Sequence, residues 1–177
     1  MTTDKENTQI RTPEEVAALV AAVSDDLVRY ALCMVGEINA AEEIALKAIA
    51  DFVYRNAYRR LSKGYLWRVA YARSVDYLRK KRHETPFEGV ADALTAPETA
   101  EESAESAERR RVLLRALSSI PIDYRHAVYL CYLKGFSPEE TARIMGKTVK
   151  QTYNLLSRGK VALKEWLEKE GYKYEDL

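Results

Sequence analysis

The chain has 177 residues, 28 Lys and Arg against 27 Asp and Glu, and a net charge of +1. That length holds one ordinary domain or two small ones, and an apolar content of 47% excludes a wholly disordered chain. No run reaches the roughly 20 apolar residues of a membrane span. Met1 to Arg11 has no apolar signal core.

The elements read as helices throughout. Thr12-Pro13-Glu14-Glu15 is a capping box with proline at the first helical position. Gly36 is placed to end a helix running from about Asp25. Asn39 to Glu42 reads as a second N-cap, opening an apolar-periodic run through Tyr58. Ser62 or Gly64 precedes a long helix from Tyr65 to about His83, giving roughly four helices in residues 1–83.

Residues 84–108 differ in composition. They carry eight acids and no Lys or Arg, with Pro86 and Pro97 and little apolar periodicity. Such a stretch cannot bury enough surface to offset its ordering entropy. It reads as a flexible acidic linker, helical toward its end, and as a coil would span about 25–30 Å. The flanking modules are expected to be tethered and free to reorient. Their charges are +3 over residues 1–83 and +6 over residues 109–177. The near-neutral average thus conceals two basic modules joined by an acidic tether.

In the second module, Arg109 to Ser119 reads as a helix, and Asp123 caps another that runs to Lys134 and stops at Gly135. Ser137-Pro138-Glu139-Glu140 is a capping box for a short helix ended by Gly146, and Thr148 caps a last helix from Val149 to about Glu170. Short helix, tight turn, longer helix is the helix-turn-helix pattern. Val149, Leu156 and Leu163 form a stripe expected to pack on Ala142, Ile144 and Met145. Lys147, Gln151, Asn154 and Arg158 fall on a separate face, with Thr148, Lys150 and Leu155 beside it. These polar types hydrogen-bond base edges and phosphates, and the helix N-terminus favours a phosphate. An ordinary helical hairpin with a polar outer face would show the same pattern.

The helix from Tyr65 to Arg82 interleaves aromatics with bases. Trp67, Tyr71 and Leu78 share one face, and Arg68, Asp76 and Arg79 another. Ring stacking with charges along the backbone suits single-stranded nucleic acid. The competing reading makes the aromatics core and the bases solvated, and for Trp67 the two readings stand level.

Cys33 and Cys131 sit in apolar runs and read as small core residues in a reducing cytoplasm. His83 and His126 have no nucleophile or carboxylate at a useful spacing and read as solvent or helix-terminus residues. With no phosphate loop, nucleophile elbow or metal-ligand cluster, an enzyme, a metal site and a cofactor are not expected.

The residues from Leu117 to Leu167, through Ile120-Pro121, Gly135-Phe136-Ser137, Gly146 and Ala162-Leu163, resemble the promoter-binding helix-turn-helix of bacterial RNA polymerase sigma factors of the extracytoplasmic-function (ECF) type. Ala40–Tyr54 resembles the family's polymerase-binding helix, and Tyr65–Arg82 the helix that reads and melts the downstream promoter element. The resemblance implies an all-α protein of two small helical domains, residues 1–83 and 109–177, joined by the linker. Its implied partners are core RNA polymerase, promoter DNA as duplex and melted strand, and an anti-sigma factor, without membrane insertion. The polymerase would supply all catalysis.

The resemblance implies −10 contacts from Trp67, Arg68, Tyr71, Arg73, Asp76, Arg79 and Lys80. It implies −35 contacts from Lys147, Thr148, Lys150, Gln151, Asn154, Leu155 and Arg158. Polymerase contacts would come from Glu42, Glu43, Leu46 and Lys47. The sequence departs from the family at Leu46-Lys47, Tyr71-Ala72 and Tyr153-Asn154-Leu155. Leu46-Lys47 favours an alternative, a stand-alone helix-turn-helix regulator that does not bind polymerase. A helical adaptor for acidic proteins is a third reading.

Overall fold

The computed structural model describes residues 11–57, 61–81 and 104–172. His83 and the acidic linker up to residue 103 lie outside them. Every regular element described is helical, and no described helix is long and apolar enough to cross a membrane.

Helix α1 spans Pro13–Val35. Thr12 Oγ1 accepts from the Glu15 amide at 3.2 Å and Glu15 Oε2 from the Thr12 amide at 2.9 Å, which closes the capping box. The helix runs unbroken past Ser24-Asp25-Asp26, where the sequence reading begins a new one. Ser24 does not cap; its hydroxyl donates back to the Val20 carbonyl at 2.6 Å. Gly36 ends the helix at φ 75°, a conformation that glycine adopts without a Cβ penalty. The described residues before the linker therefore form three helices, against the roughly four expected.

Helix α2 is Ile38–Asn56. It opens at Glu37 instead of Asn39, and its buried Ala40, Ala41, Ala45 and Ala48 let it lie close against α1. Helix α3 is Gly64–Lys81, with Leu66, Ala70 and Ser74 buried at successive turns. Glu37 ties the two ends together: it accepts from the Tyr77 hydroxyl at 2.6 Å and from Lys81 Nζ at 2.9 Å. The buried Asn56 carbonyl oxygen receives the Leu61 amide at 3.0 Å, fixing the connection to α3.

Helix α4, Ala104–Ser119, starts inside the last residues of the expected linker. Helix α5, Ile122–Val128, begins after Pro121 and widens into a π turn over Tyr129–Leu133, which Gly135 at φ 70° closes. Helix α6 is Pro138–Met145 and α7 is Val149–Lys169. Both carry the expected capping boxes, Ser137 with Glu140 and Thr148 with Gln151.

The two helical sets, expected to reorient about the linker, meet in one continuous apolar cluster. α1 packs on α4 and α5, and α3 packs on α6. Aromatic rings fill the seam. The buried Tyr30 ring lies 5.3 Å from Trp67, 5.3 Å from Tyr129 and 5.5 Å from His126. Trp67 meets Phe136 edge-on at 5.8 Å, and Tyr71 meets His126 at 4.5 Å. Such pairs add about 0.5–1.5 kcal/mol each beyond their buried area. Arg125 crosses the seam, donating to the Cys33 and Met34 carbonyls at 3.2 and 3.0 Å and, within its own set, to Ser118 and Ile120 at 2.5 and 3.0 Å. At the rim, Lys134 pairs with Asp26 at 2.6 Å.

His126 corrects the sequence reading. It is fully buried, not at the surface. Cys33 is buried too, and burial pushes its thiol up to about 12, so it is inert at neutral pH. Cys131 is half-buried and its Sγ lies 3.1 Å from Thr141 Oγ1.

Candidate nucleic-acid interface

The best-defined polar face is on α7. Its inner side buries Thr152, Leu156, Gly159, Leu163 and Leu167. A Cβ placed on Gly159 would come within 2.7 Å of Val128 Cγ2, so only glycine permits this approach to α5. From the expected stripe, Leu156 and Leu163 are core, whereas Val149 stays 37% exposed at the helix entry. The stripe packs on α6, which buries Thr141, Ala142, Ile144 and Met145.

With that side fixed, Thr148, Lys150, Gln151, Asn154 and Arg158 face solvent together, and Leu155 is half-buried beside them. They are not equivalent. Gln151 Oε1 accepts from the Thr148 amide at 2.8 Å, so its carbonyl is held by the cap while its amide NH2 points onward. Lys147 is half-buried, with Nζ 3.4 Å from Asp123 Oδ2, so it leans on α5. The start of α7 presents amide groups and a partial positive charge on the same side. The arrangement is a rigid polar ridge suited to a groove edge and its phosphates.

The expected melting residues of α3 are split. Arg68, Asp76, Arg79 and Lys80 are exposed, and Arg79 pairs with Asp76 at 3.1 Å. Trp67 is 3% exposed and Tyr71 half-buried, both turned into the seam beneath the C-terminal helices. Arg73 is half-buried between α2 and α3, and its Nε is buried without a hydrogen-bond partner.

Arg73, Asp76 and Lys80 share a depression of about 280 Å³ with Glu43 and Lys47 of α2. Lys47 bonds the Glu43 carboxylate and holds it below the usual carboxylate range. Glu42 is exposed beside them. Leu46 is 67% exposed, and about two turns on it is joined by exposed Val53 and Tyr54. The sequence reading did not single out Val53 and Tyr54; their i+7 and i+8 spacing from Leu46 was the available signal.

Two further features went unread. Lys63, Arg68 and Arg143 line a cleft of about 660 Å³ between the start of α3 and α6. Tyr132, Tyr153 and Lys160 flank a groove of about 430 Å³, with Lys160 Nζ 4.8 Å over the Tyr132 ring. Each needs residues far apart in sequence.

Fold and polar ridge together define a helical protein that carries a helix-turn-helix. Residues 110–163 match the family model for Sigma-70, region 4. The ECF RNA polymerase sigma factor SigM of Bacillus subtilis (strain 168) is 25% identical over 142 residues, covering 79% of this chain and 87% of that protein. Among solved structures, the sigma factor RpoE of Bartonella quintana, bound to the anti-sigma factor NepR, has a TM-score of 0.67 at 19% identity. That match covers 88% of this chain and 95% of RpoE. CnrH, bound to the cytosolic domain of CnrY, has a TM-score of 0.66 at 16% identity, covering 89% and 90%. The two structures share the fold. Residues 110–163 thus carry the region 4 match, and over most of its length the chain is similar to a sigma factor of the ECF type.

Proposed function

We propose that the chain binds core RNA polymerase and directs it to promoters by reading two elements with two surfaces. The α7 ridge reads the −35 duplex, and α3 engages the melted −10 strand. The observation that carries the reading is the division of α7. Its inner side is locked by Gly159 and Leu156, which leaves Asn154, Arg158 and the Gln151 amide as a preformed surface. Asn154 pairs well with adenine, and Leu155 can touch a thymine methyl. Lys150 and Arg158 supply phosphate contacts, Thr148 and the start of α7 a phosphate seat, and Lys147 a charge at the ridge's end.

On α3, Arg68, Arg73, Arg79 and Lys80 track the strand backbone, Asp76 orients Arg79, and Trp67 and Tyr71 offer stacking faces. Glu42, Glu43, Leu46 and Lys47, continued by Val53 and Tyr54, form the polymerase-facing surface of α2. An apolar stripe rimmed by charge is a protein-docking face. An anti-sigma factor is a further partner, supported by the complexes in which the two structural relatives were solved. A working place beside the polymerase in the cytoplasm follows from this reading, with the catalytic chemistry left to the polymerase.

The test is transcription in vitro with core polymerase on a randomised promoter library. Recovered promoters with two constrained blocks support the reading. DNA binding without retention on core polymerase would favour instead a stand-alone regulator, the reading that Leu46-Lys47 raises.

A further inference from the structure

Lys63 and Arg68 at the start of α3 and Arg143 on α6 line one cleft of about 660 Å³ where the two helical sets meet. All three are exposed, and among the described residues none of them pairs with a carboxylate. Other bases of α3 and of the seam are answered: Arg79 by Asp76, Lys81 by Glu37 and Lys134 by Asp26. Arg11 adds charge to the same cleft, its guanidinium donating to the Leu61 carbonyl. Glu140, the acid of the cleft wall, is turned to its own cap, where Oε2 accepts from the Ser137 amide at 2.9 Å.

Between the bases the wall is apolar, built from Leu61, Tyr65, Phe136 and Ile144. The Tyr65 hydroxyl is committed to Asp51, which leaves its ring for the cleft. Like charges gathered in a concavity repel one another, and low-dielectric walls focus their field. An anion in the cleft relieves that repulsion, and an apolar ring attached to it covers the walls. The volume and the mix of apolar wall with a few charged groups are those of a small-ligand site. Strand readers instead set rings along an open groove.

We propose that this cleft binds a nucleoside polyphosphate, with its phosphates between Lys63, Arg68 and Arg143 and its base against Leu61, Tyr65 and Phe136. The bases of the cleft come from both helical sets, so the occupant bridges them, and a ligand bound only by the folded form raises its stability. The assignment stands apart from the promoter reading and shares only Arg68 with it.

The test uses the full chain and perturbs Lys63 and Arg143, which lie outside the proposed DNA-reading set. The probe is ATP labelled on the ribose with a fluorophore, in magnesium-free buffer at one fixed salt concentration. Unlabelled ATP, GTP and inorganic tripolyphosphate compete against it. Saturable binding is expected, with a melting temperature that rises as nucleotide is added. Lys63→Glu and Arg143→Glu should each weaken it about tenfold, and the milder Arg143→Gln about threefold. Lys169→Glu makes the same charge change at the far end of α7 and should weaken it less than about twofold. Either nucleotide should compete at least about threefold better than tripolyphosphate, which has no ring to bury.

Absence of saturable binding up to about 1 mM nucleotide overturns the inference. An equal loss in Lys169→Glu also overturns it, since net charge then explains the binding. Tripolyphosphate binding as tightly as the nucleotides does the same, because the apolar walls then contribute nothing. If a short single-stranded oligonucleotide displaces the probe and loses more affinity than the nucleotide on both Lys63→Glu and Arg143→Glu, the cleft is a stretch of strand path and the inference fails. None of these outcomes counts against the −10 and −35 readings, which promoter selection tests separately.

Discussion

The Tyr30 hydroxyl and the His126 Nδ1 lie 2.6 Å apart although 96 residues separate them in the chain. Both side chains are fully buried. The contact joins the end of α1 to α5, and so the two helical sets to each other. Burial, then the nearby Arg125 and Lys147 charges, holds His126 well below its ordinary value of 6.5.

A pH dependence follows. Because the folded pKa is depressed, the unfolded chain takes up a proton on His126 at a higher pH than the folded chain does. The stabilisation is fully present above about 6.5 and falls as pH drops below that value toward the folded pKa. The other polar groups here are Tyr30 on α1, Tyr71 on α3, Arg125 and Asp123 on α5, and Lys147 before α7. Burial, above all, raises the two tyrosines, so neither titrates between pH 5 and 8. Urea midpoints measured from pH 8 to 5 should fall in the parent, and the slope should flatten in His126→Gln.

Arg125 should be the costliest single truncation in the seam. Its guanidinium fork reaches four carbonyls in two helical sets. Arg125→Ala leaves them without that donor and should lose about 3 kcal/mol in chemical denaturation. Arg125→Lys should recover less than half, since a single ammonium cannot span a fork of this geometry.

Gly159→Ala tests the close approach of α7 to α5. Alanine gains up to about 1 kcal/mol of helix propensity. The new Cβ collides with Val128 Cγ2, a short branched side chain with little room to give. The net result should be a loss of about 1–2 kcal/mol. Calorimetry of Gly159→Ala and of the double variant with Val128→Ala measures it, and the second change should recover part of the loss.

On the recognition helix, the variants should separate by role. Asn154→Ala should relax preference at one upstream base pair, costing about 1–3 kcal/mol there. Arg158→Ala should weaken all duplexes alike and lower the salt slope by about one. Gln151→Glu should keep the cap at Thr148, which uses only the side-chain carbonyl oxygen, yet weaken DNA binding by placing a carboxylate near phosphate. Binding titrations at three salt concentrations distinguish these outcomes.

For the surface proposed to face polymerase, Leu46→Asp should reduce retention on core polymerase about tenfold with little change in melting temperature, because Leu46 is largely exposed. Pull-down with purified core enzyme is the measurement.

Much of the fold was legible from local chemistry. Thr12, Ser137 and Thr148 each cap the helix they precede, and Gly36, Gly135 and Gly146 each take a positive φ at an element's end. Those signals act within one turn, so they survive without tertiary information. Ser24-Asp25-Asp26 also looks like a start signal and is not one. Ser24 bonds backward to Val20, and Asp26 answers to Lys134, more than a hundred residues away. Asn39 reads as a cap by residue type, but the helix opens at Glu37. Glu37 is instead held by Tyr77 and Lys81, a bond that local sequence does not reveal. His126 was misread for the same reason: its partners, Tyr30 and Tyr71, belong to the other helical set. Of the residues proposed to face DNA, the α7 ridge follows from helical period alone. The fate of Trp67 depends on Phe136, which no period brings beside it.

The aromatic seam also bears on how long the protein survives in a cell. Separating the two helical sets would bare Tyr30 and Trp67 on one apolar face and Tyr129 and Phe136 on the other. A surface of that kind recruits aggregation and quality control unless a partner covers it. When opening and closing are fast, degradation follows the population of the opened form. The strength of the seam would then set the turnover of unengaged copies and, under the proposed function, make abundance a function of how much polymerase is available to hold them.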